Sequence, residues 1–158
     1  MGGEFRTTRW SVVLAAAKPG QPDARDALTR LCEIYWYPLY AYVRRRGSSP
    51  HDAEDLVQGF FAQILRHQSL SRVSPEKGRF RSFLIASLDY YLADEHARKN
   101  AAKRGGGQTT LSIDSLEAEN KYALEPIEQL TPRDLFERRW ALTLLERVLA
   151  RLELEYQE

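Results

Sequence analysis

Cysteine and histidine are scarce in this sequence, which has one cysteine, Cys32, and three histidines. A lone cysteine excludes a disulfide within the chain, and a metal site needs several such ligands that converge on one point. A phosphate-binding glycine loop is also missing, because Gly105 to Gly107 follow a predicted helix rather than opening one. We therefore expect no metal, no cofactor and no enzymatic activity.

Long hydrophobic runs are absent as well. No apolar stretch approaches the roughly 20 residues that a membrane span needs, and the N-terminal "MGGEFRTTRW" lacks the apolar core of a signal peptide. The composition, with 43% hydrophobic and 28% charged residues, is that of an ordinary globular protein. Together with the single cysteine, these features predict a cytoplasmic protein with no membrane partner.

Net charge is nearly absent too, at +1, but the charges are segregated along the chain. Residues 66–104 carry nine lysines and arginines against four acidic residues, a net charge of +5. Residues 105–158 carry six against eleven, a net charge of −5. This asymmetry favours one functional basic surface followed by an acidic region, although any single charge is explained equally well as part of a solvated helix face.

No segment shows convincing strand periodicity, so the sequence predicts an all-α protein: a compact helical bundle, a flexible linker and a C-terminal helix. One helix begins near Asp23, where apolar residues recur at helical spacing, and stops at Gly47. Pro38 should kink or interrupt it.

A second helix should start at Ser48 or Ser49 and end near His67, because a serine cap, Pro50 and an acidic first turn open the segment "SSPHDAEDL". Leu56, Phe60 and Ile64 predict its buried stripe. A second apolar stripe, formed by Val57, Phe61 and Leu65, leaves one face for another partner. Gly59 costs about 1 kcal/mol relative to alanine within a helix, so either another backbone approaches it closely or the cost is tolerated.

A third helix is predicted from about Arg79 to Lys103, after a loop. Cations near a helix C-terminus, such as Arg98 and Lys99, stabilise the helix itself. Cations at the N-terminus are unfavourable there, and the cluster of Lys77, Arg79 and Arg81 therefore indicates a phosphate partner. Phe80 and Tyr90 lie near enough in sequence to form a stacking surface, which favours single-stranded or melted DNA.

A metal-dependent phosphohydrolase that uses His51 and Asp52 is a distant alternative, because the adjacent pair is a recurrent metal-binding dipeptide. Helix capping and surface charge explain the same residues. Bound metal would be needed to support this alternative.

The residues of these helices resemble the extracytoplasmic-function sigma factors of bacterial RNA polymerase. "DAEDLVQGFF" is similar to the family signature from Asp52 to Gln58 and again at Phe61, "WYPLYAYVRRRG" resembles the preceding helix, and "GRFRSFLIASLDYYLADEHARK" resembles the helix that reads the −10 promoter element. The similarity covers about residues 5–110. Gly59 and Tyr90 depart from the family pattern, which usually has glutamate at the first position and often asparagine at the second.

The resemblance implies two partners and two sets of site residues. The β′ coiled coil of core RNA polymerase would be bound by Asp52, Asp55, Leu56, Gln58 and Phe61. The non-template strand of the −10 element, with one base extruded from its stack, would be bound by Ser74, Lys77, Arg79, Phe80, Arg81, Ser82, Tyr90, Asp94, Arg98, Lys99, Lys103 and Arg104. Reversal of the charges at Arg79 and Arg81 is then expected to abolish strand binding and to leave the fold intact.

The resemblance also implies the organisation of the chain: a region 2-like domain over 5–104, a linker over 105–131, and a helix over 132–158 that resembles the start of region 4. The helix-turn-helix that reads the −35 element is missing, so the sequence reads as a fragment or a natural short form of a transcription initiation factor. The alternative is a sigma-like interaction module that binds polymerase or an anti-sigma partner and does not recognise promoters.

Overall fold

The computed structural model describes residues 13, 15–18, 20–66, 70, 74, 79–102 and 113–157. These residues form five α-helices and no strand, which confirms the predicted all-α fold. The helices are α1 (Ala24–Arg45), α2 (Pro50–Arg66), α3 (Phe80–Ala102), α4 (Ile113–Ala123) and α5 (Pro132–Tyr156). Within this part of the chain no helix is long and apolar enough to cross a membrane.

Helix α1 continues through Pro38, so the predicted interruption does not occur. Proline removes one backbone donor from a helix, but here its ring is fully buried in the core, which offsets part of that loss. The helix ends as predicted at Gly47, whose φ of 106° is a left-handed conformation that glycine adopts readily. The Gly47 N–H donates to the Arg44 carbonyl (2.9 Å) and the Ser48 N–H donates to the Val43 carbonyl (3.4 Å), the pattern of a Schellman cap.

Helix α2 begins as predicted, because the hydroxyl of Ser49 accepts a hydrogen bond from the Asp52 N–H (3.2 Å) and Pro50 is the first helical residue. Phe60 and Ile64 are buried as predicted, but Val57 takes the place of Leu56, and Ala53 extends the buried stripe by one turn. The spacing i, i+4, i+7, i+11 follows the helical period better than the i, i+4, i+8 row that the sequence suggested. Leu56 is therefore only half-buried.

Helix α3 buries Phe80, Leu84, Ile85 and Leu88. These residues recur at i, i+4, i+5 and i+8, which places them on one side of the helix. Phe83, Tyr91 and Leu92 lie at the edges of this stripe and are half-buried.

Part of the stretch expected to be a flexible linker is helical. Helix α4 occupies 113–123, and a 3-10 turn follows at Ile127–Gln129. The apolar stripe of α4 is short, with Ala118 and Tyr122 buried one turn apart. A pattern of two residues among charged neighbours is too weak to predict a helix, so the order of this segment depends on tertiary contacts.

Helix α5 starts as the sequence predicts. Thr131 caps it by accepting a hydrogen bond from the Asp134 N–H (3.1 Å), and Pro132 is its first residue. Leu135, Phe136 and Trp140 are its buried residues.

The chain divides into two compact units. We call Met1–Leu31 with Gly59–Gln108 the α3 unit, and Cys32–Gln58 with Thr109–Glu158 the α5 unit. Helices α1 and α2 contribute residues to both. In this grouping the C-terminal third shares a unit with the second part of α1 and the start of α2.

Candidate functional site

The exposed side of α2 carries four of the five residues expected to bind polymerase. Asp52, Asp55 and Leu56 are spaced i, i+3, i+4 and lie on one face of the helix. The side chain of Asp55 is 62% exposed and lies 3.2 Å from His51 Nε2 one turn earlier. Asp52 and Leu56 are half-buried, and Gln58 is exposed at the next i+3 position. This face combines carboxylates, an amide and an apolar side chain that solvent reaches.

Glu54 behaves differently from the other acidic residues of this turn. It is only 7% exposed, and the amide Nε2 of Gln58 lies 3.4 Å from its Oε1. The sequence assigned Glu54 to the helix dipole together with Asp52 and Asp55. The structure instead buries it beside Gln58, so this carboxylate also orients a residue of the candidate docking face.

Phe61, the fifth expected polymerase contact, is half-buried and packs against Phe60 with ring centroids 5.9 Å apart. The adjacent Gly59 has a specific neighbour. A Cβ atom placed on Gly59 would overlap the hydroxyl of Tyr91 and would lie 3.2 Å from its Cζ. Gly59 therefore leaves space for the aromatic ring of Tyr91. The close neighbour is a side chain and not another backbone, and the loss of helix stability at glycine accompanies this packing.

The expected DNA-binding residues fall into three groups, of which the first comprises the residues before and after α3 together with Ser82. Lys77, Lys103 and Arg104 lie outside the described residues. Ser74 and Ser82 are half-buried, and Arg79, immediately before α3, is exposed.

The second group, Phe80 and Arg81, is buried, at 1% and 6% exposed respectively. The Phe80 ring packs on Phe83 at a centroid distance of 6.0 Å, and Arg81 shares the helix face of Ile85 at i+4. A buried ring cannot stack on a base, so the stacking role predicted for Phe80 is corrected to a core role. Arg81→Glu would bury a reversed charge, so the expectation that this reversal leaves the fold intact is also corrected.

The third group forms one exposed row along α3. Tyr90, Asp94 and Arg98 are spaced i, i+4 and i+8, which places them on the same face about one turn apart. Tyr90 is 84% exposed, and Asp94 and Lys99 are exposed as well. Arg98 lies 3.6 Å from the Glu95 carboxylate and is itself largely exposed. Along α3, an aromatic side chain, a carboxylate and two cations are therefore exposed to solvent, in that order.

Helix α4 is held on α1 by a carboxylate that the sequence analysis did not single out. Glu119 receives hydrogen bonds from Arg44 Nη2 (2.7 Å), Arg44 Nε (2.9 Å) and the hydroxyl of Tyr40 (2.6 Å). These donors, Arg44 first, lower the pKa of the Glu119 carboxyl. Burial raises the pKa of the Tyr40 hydroxyl, and the bond to Glu119 raises it further. A bidentate arginine and a tyrosine donor fix the position of α4 within the α5 unit.

A second carboxylate, Glu125, connects the turn after α4 with both neighbouring helices. Its side chain is 4% exposed and lies 3.1 Å from Arg139 Nε and 3.6 Å from Arg138 Nε. The hydroxyl of Tyr37 donates to it at 3.1 Å. The main-chain carbonyls of Ile127 and Leu130 accept from Arg45 Nε, each at 3.0 Å. The C-terminal third is thus attached to α1 largely through arginine and tyrosine donors.

A cleft of about 420 Å³ lies beside the candidate docking face, within the α5 unit. Its walls include Trp36 on α1, Glu54 and Gln58 on α2, and Asp114 and Glu117 on α4. This cleft was not predicted from the sequence, because residues 105–131 were expected to form a linker.

Comparison with known proteins and protein families gives a further line of evidence. No match was found among curated proteins or among solved structures. The family model of sigma-70 region 2 matches residues 35–102, a span that contains the end of α1 and all of α2 and α3. Over this stretch the chain is therefore similar to sigma-70 region 2.

Proposed function

We propose that this protein is a bacterial transcription initiation factor of the extracytoplasmic-function type, which binds core RNA polymerase and captures the melted −10 element. The match of residues 35–102 to sigma-70 region 2 carries the proposal. The exposure of Asp55 and Gln58 on α2 and of the Tyr90 row on α3 supports it.

Polymerase docking is assigned to α2. Asp55 presents a solvated carboxylate and Leu56 and Phe61 present partly exposed apolar surface. An apolar patch rimmed by charge is the usual make-up of a protein interface, in which the apolar part contributes affinity and the charges contribute association rate and specificity. The partner is the β′ coiled coil, by similarity to the family.

Capture of the −10 strand is assigned to the exposed row of Tyr90, Asp94, Arg98 and the neighbouring Lys99, together with Arg79. Ser74, Ser82, Lys77, Lys103 and Arg104 stay in the proposed set by resemblance, whereas Phe80 and Arg81 are left out of it because both are buried. A base that leaves the stack costs a few kcal/mol, and stacking on an exposed tyrosine returns about 1–3 kcal/mol. Nearby cations pair with the phosphates.

The decisive experiment is co-elution of the full chain with purified bacterial core RNA polymerase. Wild type should co-elute. The Asp55→Arg variant should not, because the substitution places a cation where the proposed interface has a carboxylate. Glu153→Arg makes the same charge change at an exposed position on α5 and should co-elute like wild type. Binding by all three proteins would refute the docking assignment, and no binding by wild type would refute polymerase recognition.

A second candidate function is an interaction module that engages polymerase or an anti-sigma partner without promoter recognition. The far half of α5 favours it, because its apolar side chains stay 42–59% exposed: Leu145, Val148, Leu149 and Leu152. Failure of the protein to bind single-stranded −10 DNA while it still binds polymerase would select this second function.

A further inference from the structure

The cleft beside Gln58, which we call the acidic cleft, has an unbalanced charge. Four carboxylates line it, from Glu33, Glu54, Asp114 and Glu117, against one ammonium group, from Lys121. The Lys121 ammonium lies 5.4 Å from the centre of the Tyr37 ring, so its charge is engaged by an aromatic face. Glu33 is 3.8 Å from Arg147. The excess negative charge therefore lies on α2 and α4.

Asp114 and Glu117 form the open wall of the cleft. They are one turn apart on α4, both are exposed, and neither forms an ion pair with the part of the chain that the structure describes. Asp114 lies in the first turn of α4, where it also complements the helix dipole. Glu117 lies beyond the residues that benefit most from this effect, so the dipole alone does not explain it.

The acidic cleft is preorganised. Helix α4 is fixed to α1 by the contacts of Glu119 with Arg44 and Tyr40, at 2.6–2.9 Å. Trp36 lines the cleft and stacks on Tyr40 with ring centroids 5.2 Å apart and planes 13° apart. A surface whose backbone and aromatic ring are already held in place loses less conformational entropy when a partner binds.

Charge and shape together select the partner's chemistry. An arginine guanidinium is planar, stacks on an indole face and forms two parallel hydrogen bonds with a carboxylate. Trp36 supplies the aromatic face, and Glu54, Asp114 and Glu117 supply carboxylates within one cleft. The volume of about 420 Å³ accommodates such a side chain.

The acidic cleft is continuous with the proposed docking face, because Gln58 belongs to both. We infer that the acidic cleft is a second contact surface for core RNA polymerase, in which Trp36, Asp114 and Glu117 receive an arginine side chain of the polymerase segment that docks on α2. This inference rests on the proposed function and extends it to α4, a helix outside the residues that match sigma-70 region 2.

The test is the affinity of the full chain for immobilised core RNA polymerase. Asp114→Asn with Glu117→Gln should raise the Kd about tenfold at low salt. The effect should shrink at about 0.5 M salt, because exposed charges are screened there. The matched control, Glu128→Gln with Glu153→Gln, also removes two carboxylates, at exposed positions that do not line the acidic cleft, and should leave the Kd within about twofold of wild type.

A thermal unfolding scan accompanies each variant, and Glu117→Gln alone retains the first-turn aspartate in case the double variant is unstable. Its Kd should rise as well. Equal weakening of polymerase binding by the cleft variant and its control would show a general charge effect and overturn the inference that the acidic cleft contacts polymerase. Wild-type affinity in the cleft variants, with Asp55→Arg inactive, would overturn it and leave the proposed function standing. If wild type did not bind polymerase at all, both would fail.

Discussion

At Gly59 the absence of a side chain makes room for the ring of Tyr91. The two residues belong to the α3 unit, and the Tyr91 ring also packs on Phe60 with centroids 5.9 Å apart. A glycine in the middle of a helix weakens that helix, so the packing of an aromatic residue against its backbone is the compensating gain. The space left by the missing methyl group thereby lets α2 pack closely against α3, the helix that carries the proposed DNA row.

Gly59→Ala is expected to lower the free energy of unfolding by about 1–3 kcal/mol, the usual cost of overpacking. At an open helix position the same change would instead raise it by about 1 kcal/mol. The hydroxyl of Tyr91 is the atom that the new methyl group would overlap. The loss should therefore be smaller in a Tyr91→Phe background, as measured by a double-mutant cycle in urea. Equal losses in both backgrounds would show that the hydroxyl does not restrict this position.

Tyr90 lies one residue before Tyr91, about 100° around the helix, and its side chain is exposed to solvent. We expect Tyr90→Ala to weaken binding of single-stranded −10 DNA by about 1–3 kcal/mol, the contribution of one stacked base. Tyr156→Ala is the matched control, because Tyr156 is 88% exposed and lies at the end of α5. Fluorescence anisotropy with a labelled oligonucleotide measures both. Equal losses for the two variants would remove Tyr90 from the binding surface.

At the scale of the element, α4 shows how a short helix is stabilised from outside. Its 11 residues are fewer than an isolated helix needs in water. Arg44 supplies two hydrogen bonds to Glu119, and its guanidinium also lies 4.7 Å from the centre of the Tyr122 ring. The same side chain therefore holds the carboxylate and the aromatic ring of α4.

The Glu119 contact predicts a pH dependence of stability. The pKa of Glu119 is lowered in the folded state from its ordinary value of 4.5, so its contribution is fully present above about pH 4.5 and is lost as the pH falls through the folded-state pKa. Glu119→Gln should lower the Tm near pH 7, and the difference from wild type should narrow as the pH is lowered to about 3. Glu155→Gln breaks an exposed pair with Arg151 and should change the Tm little at either pH. A Tm difference for Glu119→Gln that stays constant with pH would contradict this account.

At the scale of the whole molecule, the segregation of charge along the chain has a measurable consequence. Residues 66–104 carry a net charge of +5 and residues 105–158 a net charge of −5. Arg79, Arg98 and Lys99 are exposed in the first of these segments, whereas several charges of the second are used inside the α5 unit, as Glu119 and Glu125 show.

Binding of single-stranded −10 DNA should therefore depend steeply on salt. A strand that has about five phosphates neutralised gives a slope near −3.5 in a plot of log K against log salt concentration. Arg98→Ala should reduce the magnitude of the slope by about 0.7, the contribution of one phosphate contact. Glu153→Ala, which removes an exposed charge of the other sign on α5, should leave it unchanged. A flat response of wild type would exclude a strand-binding role and favour the interaction module.

The sequence by itself determined much of the local structure of this protein and the family that its central segment resembles. Helix caps are local signals, so Ser49, Thr131 and Gly47 predicted where helices begin and end. The acidic signature in α2 is a contiguous pattern, and the resemblance that it indicated agrees with the match of residues 35–102 to sigma-70 region 2.

Only the tertiary structure decided where the buried stripes end and whether α4 forms at all. Phe80 and Arg81 had the composition of a nucleic-acid contact, but their register relative to Leu84 and Ile85 places them in the core. The acidic cleft depends on residues more than fifty positions apart, Gln58 and Asp114, which the Arg44–Glu119 contact helps to bring together. Burial and long-range ion pairs arise from packing between helices, and no local pattern along the chain encodes them.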